Sequence, residues 1–229
     1  MLFVRIKEDF FTHVLDRCEL YTADHNKCVT DSFNQRQALW GLLGPKLAHP
    51  SYKEELVSIC SKEEWRRDSF SHLIIGHKDS MLEYLTEQSE SIISQVTGCT
   101  KKLYECAQGA IQADNIRQIT AEGEKTLQIK NRLRDSIHNK NEESKGSPIV
   151  IDTYAGKIGD DSDKIAARNT ELHQAVIQSR NDTMDGVEWV CEQERQKVLV
   201  LYEEWRVGEE RWAKRWSKAV SDIAALCEG

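Results

Sequence analysis

Apolar residues recur at intervals of three and four along the first 43 positions of the chain. Leu2, Ile6 and Phe10 begin the series. This spacing places the apolar side chains on one face of an amphipathic helix. The pattern weakens between 22 and 32 and then resumes. It predicts a helix from Leu2 to about Leu43.

A corner is predicted next, over residues 44–50. Gly44 is of the residue type that most often follows a helix, and Pro45 lacks the N–H that would continue the ladder of hydrogen bonds. Ser51 and Glu54 then have the spacing of a capping box, in which each side chain accepts a backbone N–H of the first helical turn. The sequence therefore predicts a second helix that begins at Ser51.

The second helix carries the clearest repeat in the chain. The residues at one position of a seven-residue repeat are Leu56, Glu63, Phe70, His77 and Tyr84, and later Ile92, Cys99, Cys106 and Ala113. Such heptads are typical of helices that pack along another helix. A weaker apolar pattern reaches Ile137, either as the same helix or as one that folds back after Gly123. Residues 1–138 are thus predicted to form a helical hairpin with its proline corner at 44–50.

The helical pattern is interrupted over residues 139–163. Ser147 to Tyr154 has the pattern of an extended strap, and 156–163 that of a loop with an acidic end. Residues 164–229 are predicted to form a long helix that packs on the hairpin. Together these elements predict an all-α fold, in which long antiparallel helices form an elongated coiled coil or a spectrin-like three-helix bundle.

Composition narrows the class of ligand. The 31 Lys and Arg residues are interspersed among 38 Asp and Glu residues, for a net charge of -7. This balance disfavours nucleic acid and anionic membranes as partners. No apolar run approaches the roughly 18 residues that span a bilayer, and the first residues do not resemble a signal peptide. Seven cysteines without a C-x-x-C pair are typical of reduced thiols, so we predict a cytoplasmic protein.

Sequence motifs of common enzyme classes do not occur in the chain. The phosphate-binding, dinucleotide-binding, serine-hydrolase and zinc-protease patterns are missing, as are the paired Glu-x-x-His motifs of di-iron bundles. We therefore predict that the protein is not an enzyme. The same observation predicts no catalytic, cofactor-binding or metal-binding residues, no cofactor and no small-molecule substrate.

Three tryptophans of the last helix form the best candidate for a binding site. Trp205, Trp212 and Trp216 stand at positions i, i+7 and i+11, along one stripe of the helix, and Arg211 and Arg215 accompany them. The stripe either packs into the core of the bundle or docks a partner, since tryptophan and arginine are enriched in interface hot spots. We take these five residues as candidate partner-binding residues.

The predicted corner resembles a known family. The resemblance is carried by Asn34-Gln35-Arg36, Leu39-Trp40, Leu43-Gly44-Pro45-Lys46-Leu47-Ala48-His49-Pro50, Glu54-Glu55-Leu56, Cys60, Glu63-Glu64 and Arg66-Arg67. These residues resemble the C-terminal conserved helical region of the coiled-coil domain-containing protein 180 family. The resemblance implies a filamentous protein of cilia and flagella, and no catalytic residues.

Taken together, the sequence predicts a non-enzymatic structural or scaffold coiled-coil protein whose partners are other helical proteins. The resemblance adds a location in the cilium or flagellum axoneme, association with microtubules, and tubulin or axonemal proteins as partners. Two alternatives stay open: a BAR-like helical module that binds membranes, and a soluble helical adaptor. The partner and the oligomeric state stay open as well.

Overall fold

The structure, a computed structural model, describes residues 2–47, 49–139 and 147–228. It contains three long helices: α1 (Leu2–Leu43), α2 (Lys53–Asn139) and α3 (Ser147–Glu228). Two short 3-10 helices, Gly44–Lys46 and Pro50–Tyr52, connect α1 to α2. Among the described residues, only Leu47 and His49 lie outside these elements. The predicted all-α fold class is therefore confirmed, whereas the coiled-coil and spectrin-like descriptions stay predictions.

The corner is built from tight helical turns. As predicted, α1 ends at Leu43, whose carbonyl accepts the N–H of Leu47 at 3.1 Å. The N–H of Tyr52 is bonded to the carbonyl of His49, also at 3.1 Å. Since this second 3-10 helix occupies Pro50–Tyr52, α2 begins at Lys53, two residues after the predicted start at Ser51.

The second helix is continuous. It passes through Gly123 and reaches Asn139, so of the two alternatives that the sequence left open the chain adopts the single long helix. A glycine inside a helix costs about 1 kcal/mol relative to alanine. Its neighbours Glu122, Glu124 and Lys125 are good helix formers, and this cost alone does not end the helix.

The predicted strap and loop over 139–163 are wrong for the residues that the structure describes. α3 begins at Ser147 and is helical through 163, while 140–146 lie outside the described residues. Pro148 is the second residue of the helix, where its missing N–H removes no hydrogen bond. The β-branched residues 149–151 lower the helix propensity only slightly. The turn-like composition of this stretch therefore did not identify a break in the helix.

The chain divides into two compact units. Unit 1 comprises Met1–Ile93 and Asp185–Gly229, and unit 2 comprises Ser94–Met184. Unit 1 therefore contains α1 with the first part of α2 and the last part of α3, whereas unit 2 contains the other parts of α2 and α3.

Contacts between α1 and α2 fix their direction in unit 1. Arg66 donates a hydrogen bond to Ser32 at 2.7 Å, and the rings of His77 and Tyr21 lie 6.1 Å apart. Residues with higher numbers in α2 therefore contact residues with lower numbers in α1. The two helices run in opposite directions.

The third helix of unit 1 follows the same logic. Trp212 of α3 donates to Glu63 of α2 at 2.7 Å, and the thiol of Cys191 lies 3.8 Å from the carbonyl of Leu85. α3 is therefore antiparallel to α2 in unit 1. Since α1 is also antiparallel to α2, α1 and α3 run in the same direction there.

Two clusters of buried apolar side chains contribute to the core of unit 1. The first lies beside the corner and contains Leu43, Leu56, Ile59, Cys60, Trp216, Ala219 and Ile223. The second contains Phe70, Ile74 and Trp205. Each large side chain buried in this way stabilises the fold by about 1.5–3 kcal/mol, so the two clusters hold α1, α2 and α3 together.

Unit 2 has much less burial. The rings of Tyr104 and His173 lie 4.7 Å apart, which pairs its two helices. No described side chain over 101–132 or 156–182 is buried. Several large apolar side chains are exposed instead: Leu103, Ile116, Ile119, Leu127, Leu172 and Ile177.

Candidate partner-binding groove

A groove between α1 and α3 of unit 1, here called the α1/α3 groove, has a volume of about 390 Å³. The residues that line it include Phe33 from α1 and Trp205, Gly208, Arg211, Trp212 and Arg215 from α3. Four of the five residues that the sequence singled out therefore line one groove. Trp216, the fifth, belongs to the core cluster beside the corner.

The three tryptophans do not form an exposed docking stripe. Trp216 is 2% exposed and Trp205 is 9% exposed, while Trp212 is half-buried. The Trp205 ring packs edge-on against Phe70 at 6.1 Å. These indoles pack mainly within the bundle, because they lie on the same face of α3 as its other core residues. Arg211, by contrast, is exposed at the groove.

An aromatic cluster holds the end of α3 near the corner. The Trp212 and Trp216 rings are stacked with centroids 5.8 Å apart, and Trp40 of α1 lies 5.9 Å and 6.1 Å from them. Such pairs add about 0.5–1.5 kcal/mol each beyond the area they bury. The stripe predicted from the sequence is thus completed by a tryptophan from another helix.

A buried carboxylate lies close to the groove. Glu63 is fully buried, and its two oxygens accept Nε and Nη2 of Arg66 at 2.7 and 2.8 Å. Its Oε1 also accepts the indole N–H of Trp212 at 2.7 Å. The signal in the sequence was a glutamate at a core heptad position, where an unpaired charge is costly.

Arg36 connects this carboxylate to the groove wall. Its Nε lies 3.3 Å from Glu63, and its Nη2 donates to Glu209 of α3 at 2.6 Å. Its guanidinium also lies over the Trp212 ring, 4.9 Å from the centroid. With Arg66, these residues form a charged network that joins α1, α2 and α3 and specifies which positions of the helices meet.

Besides Nε of Arg36, which lies 3.3 Å from Glu63, two buried nitrogens in the groove wall lack a hydrogen-bond partner within the described part of the protein. They are Nε1 of Trp205 and Nδ1 of His25. Burial lowers the pKa of His25 below its ordinary value of 6.5, and nearby His77 lowers it further. A buried polar group without a partner costs about 1–3 kcal/mol. Both nitrogens are enclosed by the bundle, so each lowers the stability of unit 1.

Two glycines of α3 have different surroundings. A Cβ at Gly186 would lie 3.1–3.3 Å from the side chains of Lys7 and Phe11, so this glycine lets α1 approach closely. A Cβ at Gly208 would meet nothing within 4 Å. Packing within the chain does not require Gly208, and the missing side chain widens the groove.

The charges along the groove favour an anionic partner. Three arginines line it, Arg36, Arg211 and Arg215, against Glu204 and Glu209. Arg36 and Glu209 neutralise one another. No ion pair among the described residues involves Arg211, Arg215 or Glu204, so the groove lining keeps a surplus of one positive charge.

The cysteines Cys18, Cys60 and Cys191 are buried in unit 1. Burial raises the pKa of Cys18 to about 12, with Glu194 adding to the effect, and burial also raises the pKa of Cys60 and Cys191. These thiols are therefore protonated and unreactive at neutral pH. The described residues contain no group of three or more His, Cys, Asp or Glu side chains suited to a metal ion.

The fold defines a helical-bundle protein with a helix-lined groove. Residues 10–135, more than half of the chain, match the family described as Domain of unknown function (DUF4456). The chain belongs to this family. The matched region covers most of α1, the corner and nearly all of α2, including Arg36 and Glu63.

The chain matched no curated protein and no solved structure. Among the described residues, no helix combines the length and the apolar character needed to cross a membrane.

Proposed function

We propose that this chain is a non-enzymatic structural or scaffold protein that binds other helical proteins. The α1/α3 groove carries the proposal, because it combines exposed Phe33 with the unpaired cations Arg211 and Arg215. Aromatic residues and arginines in such a setting are typical of protein interfaces. The rigid network around Glu63 holds the groove wall in place.

Unit 2 supports the same role. Unit 1 has three helices to cover its apolar positions, whereas unit 2 has two. Ile116, Ile119 and Leu127 are 65%, 66% and 57% exposed. Neighbouring large apolar side chains of this kind are common where a surface binds another protein. Helices of a partner would remove them from water.

For the location of this scaffold we propose the cilium or flagellum, with tubulin or axonemal proteins among its partners. The support is the resemblance of residues 34–67 to the coiled-coil domain-containing protein 180 family. Within those residues lie Arg36, Glu63 and Arg66, which form the buried network of unit 1. This location requires a cytoplasmic protein.

Localisation in a ciliated cell tests the proposal. The tagged chain is expressed, membranes are extracted with detergent, and the tag alone serves as the control. Retention on the axoneme is the expected result. A fully extractable signal would reject the ciliary location and leave a soluble helical adaptor.

A vesicle assay separates the scaffold from the BAR-like alternative. The chain is sedimented with phosphatidylserine vesicles at low and high salt. We expect no binding, given the net charge of -7. Binding that rises with anionic lipid and falls with salt would instead favour the membrane-binding module.

A further inference from the structure

The α1/α3 groove is shaped to take one more helix. Its two walls are helices that run in the same direction, and a helix packs against its neighbours at interaxial distances of about 8–10 Å. Phe33 is 57% exposed on one wall, and Gly208 leaves the opposite wall open. A third helix laid here would cover Phe33 and approach the backbone at Gly208.

The groove also selects by charge. Arg211 and Arg215 are four residues apart on α3, so they lie on one face of the helix at the rim. Their charges contrast with the net charge of -7 of the whole chain. Guanidinium groups recognise carboxylates through charge-assisted hydrogen bonds.

We propose that the α1/α3 groove binds an acidic amphipathic helix of a partner protein. Apolar residues of that helix, spaced three and four apart, pack on Phe33, and its carboxylates pair with Arg211 and Arg215. Charge complementarity favours such a helix over a second copy of this chain, whose exposed helix faces carry both signs of charge. The inference rests on the proposed scaffold function and names the class of partner.

Two synthetic peptides probe the full chain by fluorescence anisotropy. Both are helices of about three heptads with the same leucines, long enough to be helical in water. One carries glutamates beside the leucines and the other carries lysines. We expect the glutamate peptide to bind at least about tenfold more tightly, because a like charge at the rim is repelled.

Two variants and one matched control locate the site. Arg211→Glu is expected to weaken binding of the glutamate peptide about tenfold. Lys214→Glu makes the same change of charge on the same helix, away from the groove lining, and is expected to leave binding within about twofold. Gly208→Leu places a side chain in the open groove, and leucine has a higher helix propensity than glycine. Binding of the glutamate peptide should therefore fall, while circular dichroism shows no loss of helix.

Several outcomes would overturn the inference. These are equal binding of the two peptides, no binding of either, or binding that Gly208→Leu leaves unchanged. A dimer of the chain that Gly208→Leu dissociates would assign the groove to a second copy instead. If the chain is retained on the axoneme but does not bind the glutamate peptide, the partner class is wrong and the scaffold function stands.

Discussion

Glu63 occupies a core position and still carries a charge. Its side chain is fully buried, and Arg36, Arg66 and Trp212 surround its oxygens. A buried ion network gains little over apolar packing, yet breaking it leaves charges without partners. Its value in this protein is that only one alignment of the three helices brings these groups together.

Replacing Glu63 with glutamine tests this network. The change keeps the size of the side chain but leaves Arg66 without a carboxylate. We expect the free energy of unfolding to fall by about 3 kcal/mol, measured by urea denaturation. The combined change Arg36→Met, Glu63→Leu, Arg66→Met and Glu209→Gln should cost less, because it removes every charge of the network. A loss below about 1 kcal/mol for Glu63→Gln would show that water reaches this site.

His25 makes the stability of the bundle depend on pH. Burial, and then His77, hold its pKa in the folded state below the ordinary value of 6.5. The unfolded chain therefore binds a proton first as the pH falls. The full stability is present above about pH 6.5 and is lost progressively below it, towards the folded-state pKa.

Urea denaturation between about pH 7.5 and 5 measures this effect. The variant His25→Leu should show a weaker dependence on pH over this range than the unchanged chain. His13, which is exposed on the same helix, provides the control as His13→Leu. Equal pH dependence in the His25→Leu variant and the unchanged chain would exclude His25 as the source.

At the scale of elements, the sequence predicted some helix ends and missed others. The end of α1 at Leu43 was predictable because Gly44 and Pro45 are strong local signals. The helical start at Ser147 was not, because Pro148 and the following β-branched residues are also typical of extended segments. Local preferences of this kind amount to a few tenths of a kcal/mol per residue, and they do not decide the outcome alone.

Gly159 offers a test of the corrected start of α3. A Cβ at this position would meet nothing within 4 Å, so alanine fits without a clash. In a helix, Gly159→Ala should raise helicity and stabilise the chain by about 1 kcal/mol, and Gly159→Pro should cost about 3 kcal/mol. Circular dichroism and thermal unfolding measure both changes. If both substitutions are neutral, residues 156–163 form a loop.

At the scale of the whole molecule, only part of the groove was visible in the sequence. Trp205, Trp212, Arg211 and Arg215 share one helix face, and a periodic pattern reveals such a set. The residues that α1 contributes, His25 and Phe33 among them, are far away in the chain. They join the groove only because α1 runs beside α3 in unit 1, a tertiary arrangement that periodicity does not specify.

The uneven burial of the two units predicts uneven stability. Because α2 passes through both units, its residues 56–85 and 101–132 are matched segments of one helix. The first segment contributes Leu56, Ile59, Cys60, Phe70 and Ile74 to the core clusters of unit 1, whereas the described second segment has no buried side chain. We expect the amides of the second segment to exchange at least about 100-fold faster.

Hydrogen exchange followed by mass spectrometry measures this difference on the isolated chain at low concentration. Opening of unit 2 breaks helix hydrogen bonds and few side-chain contacts, while opening of unit 1 must also expose its core. A helical partner that covers unit 2 should slow exchange there and leave unit 1 unchanged. Equal protection along α2 in the isolated chain would show that unit 2 is already covered. If dilution then restored fast exchange, the cover would be a second copy of the chain.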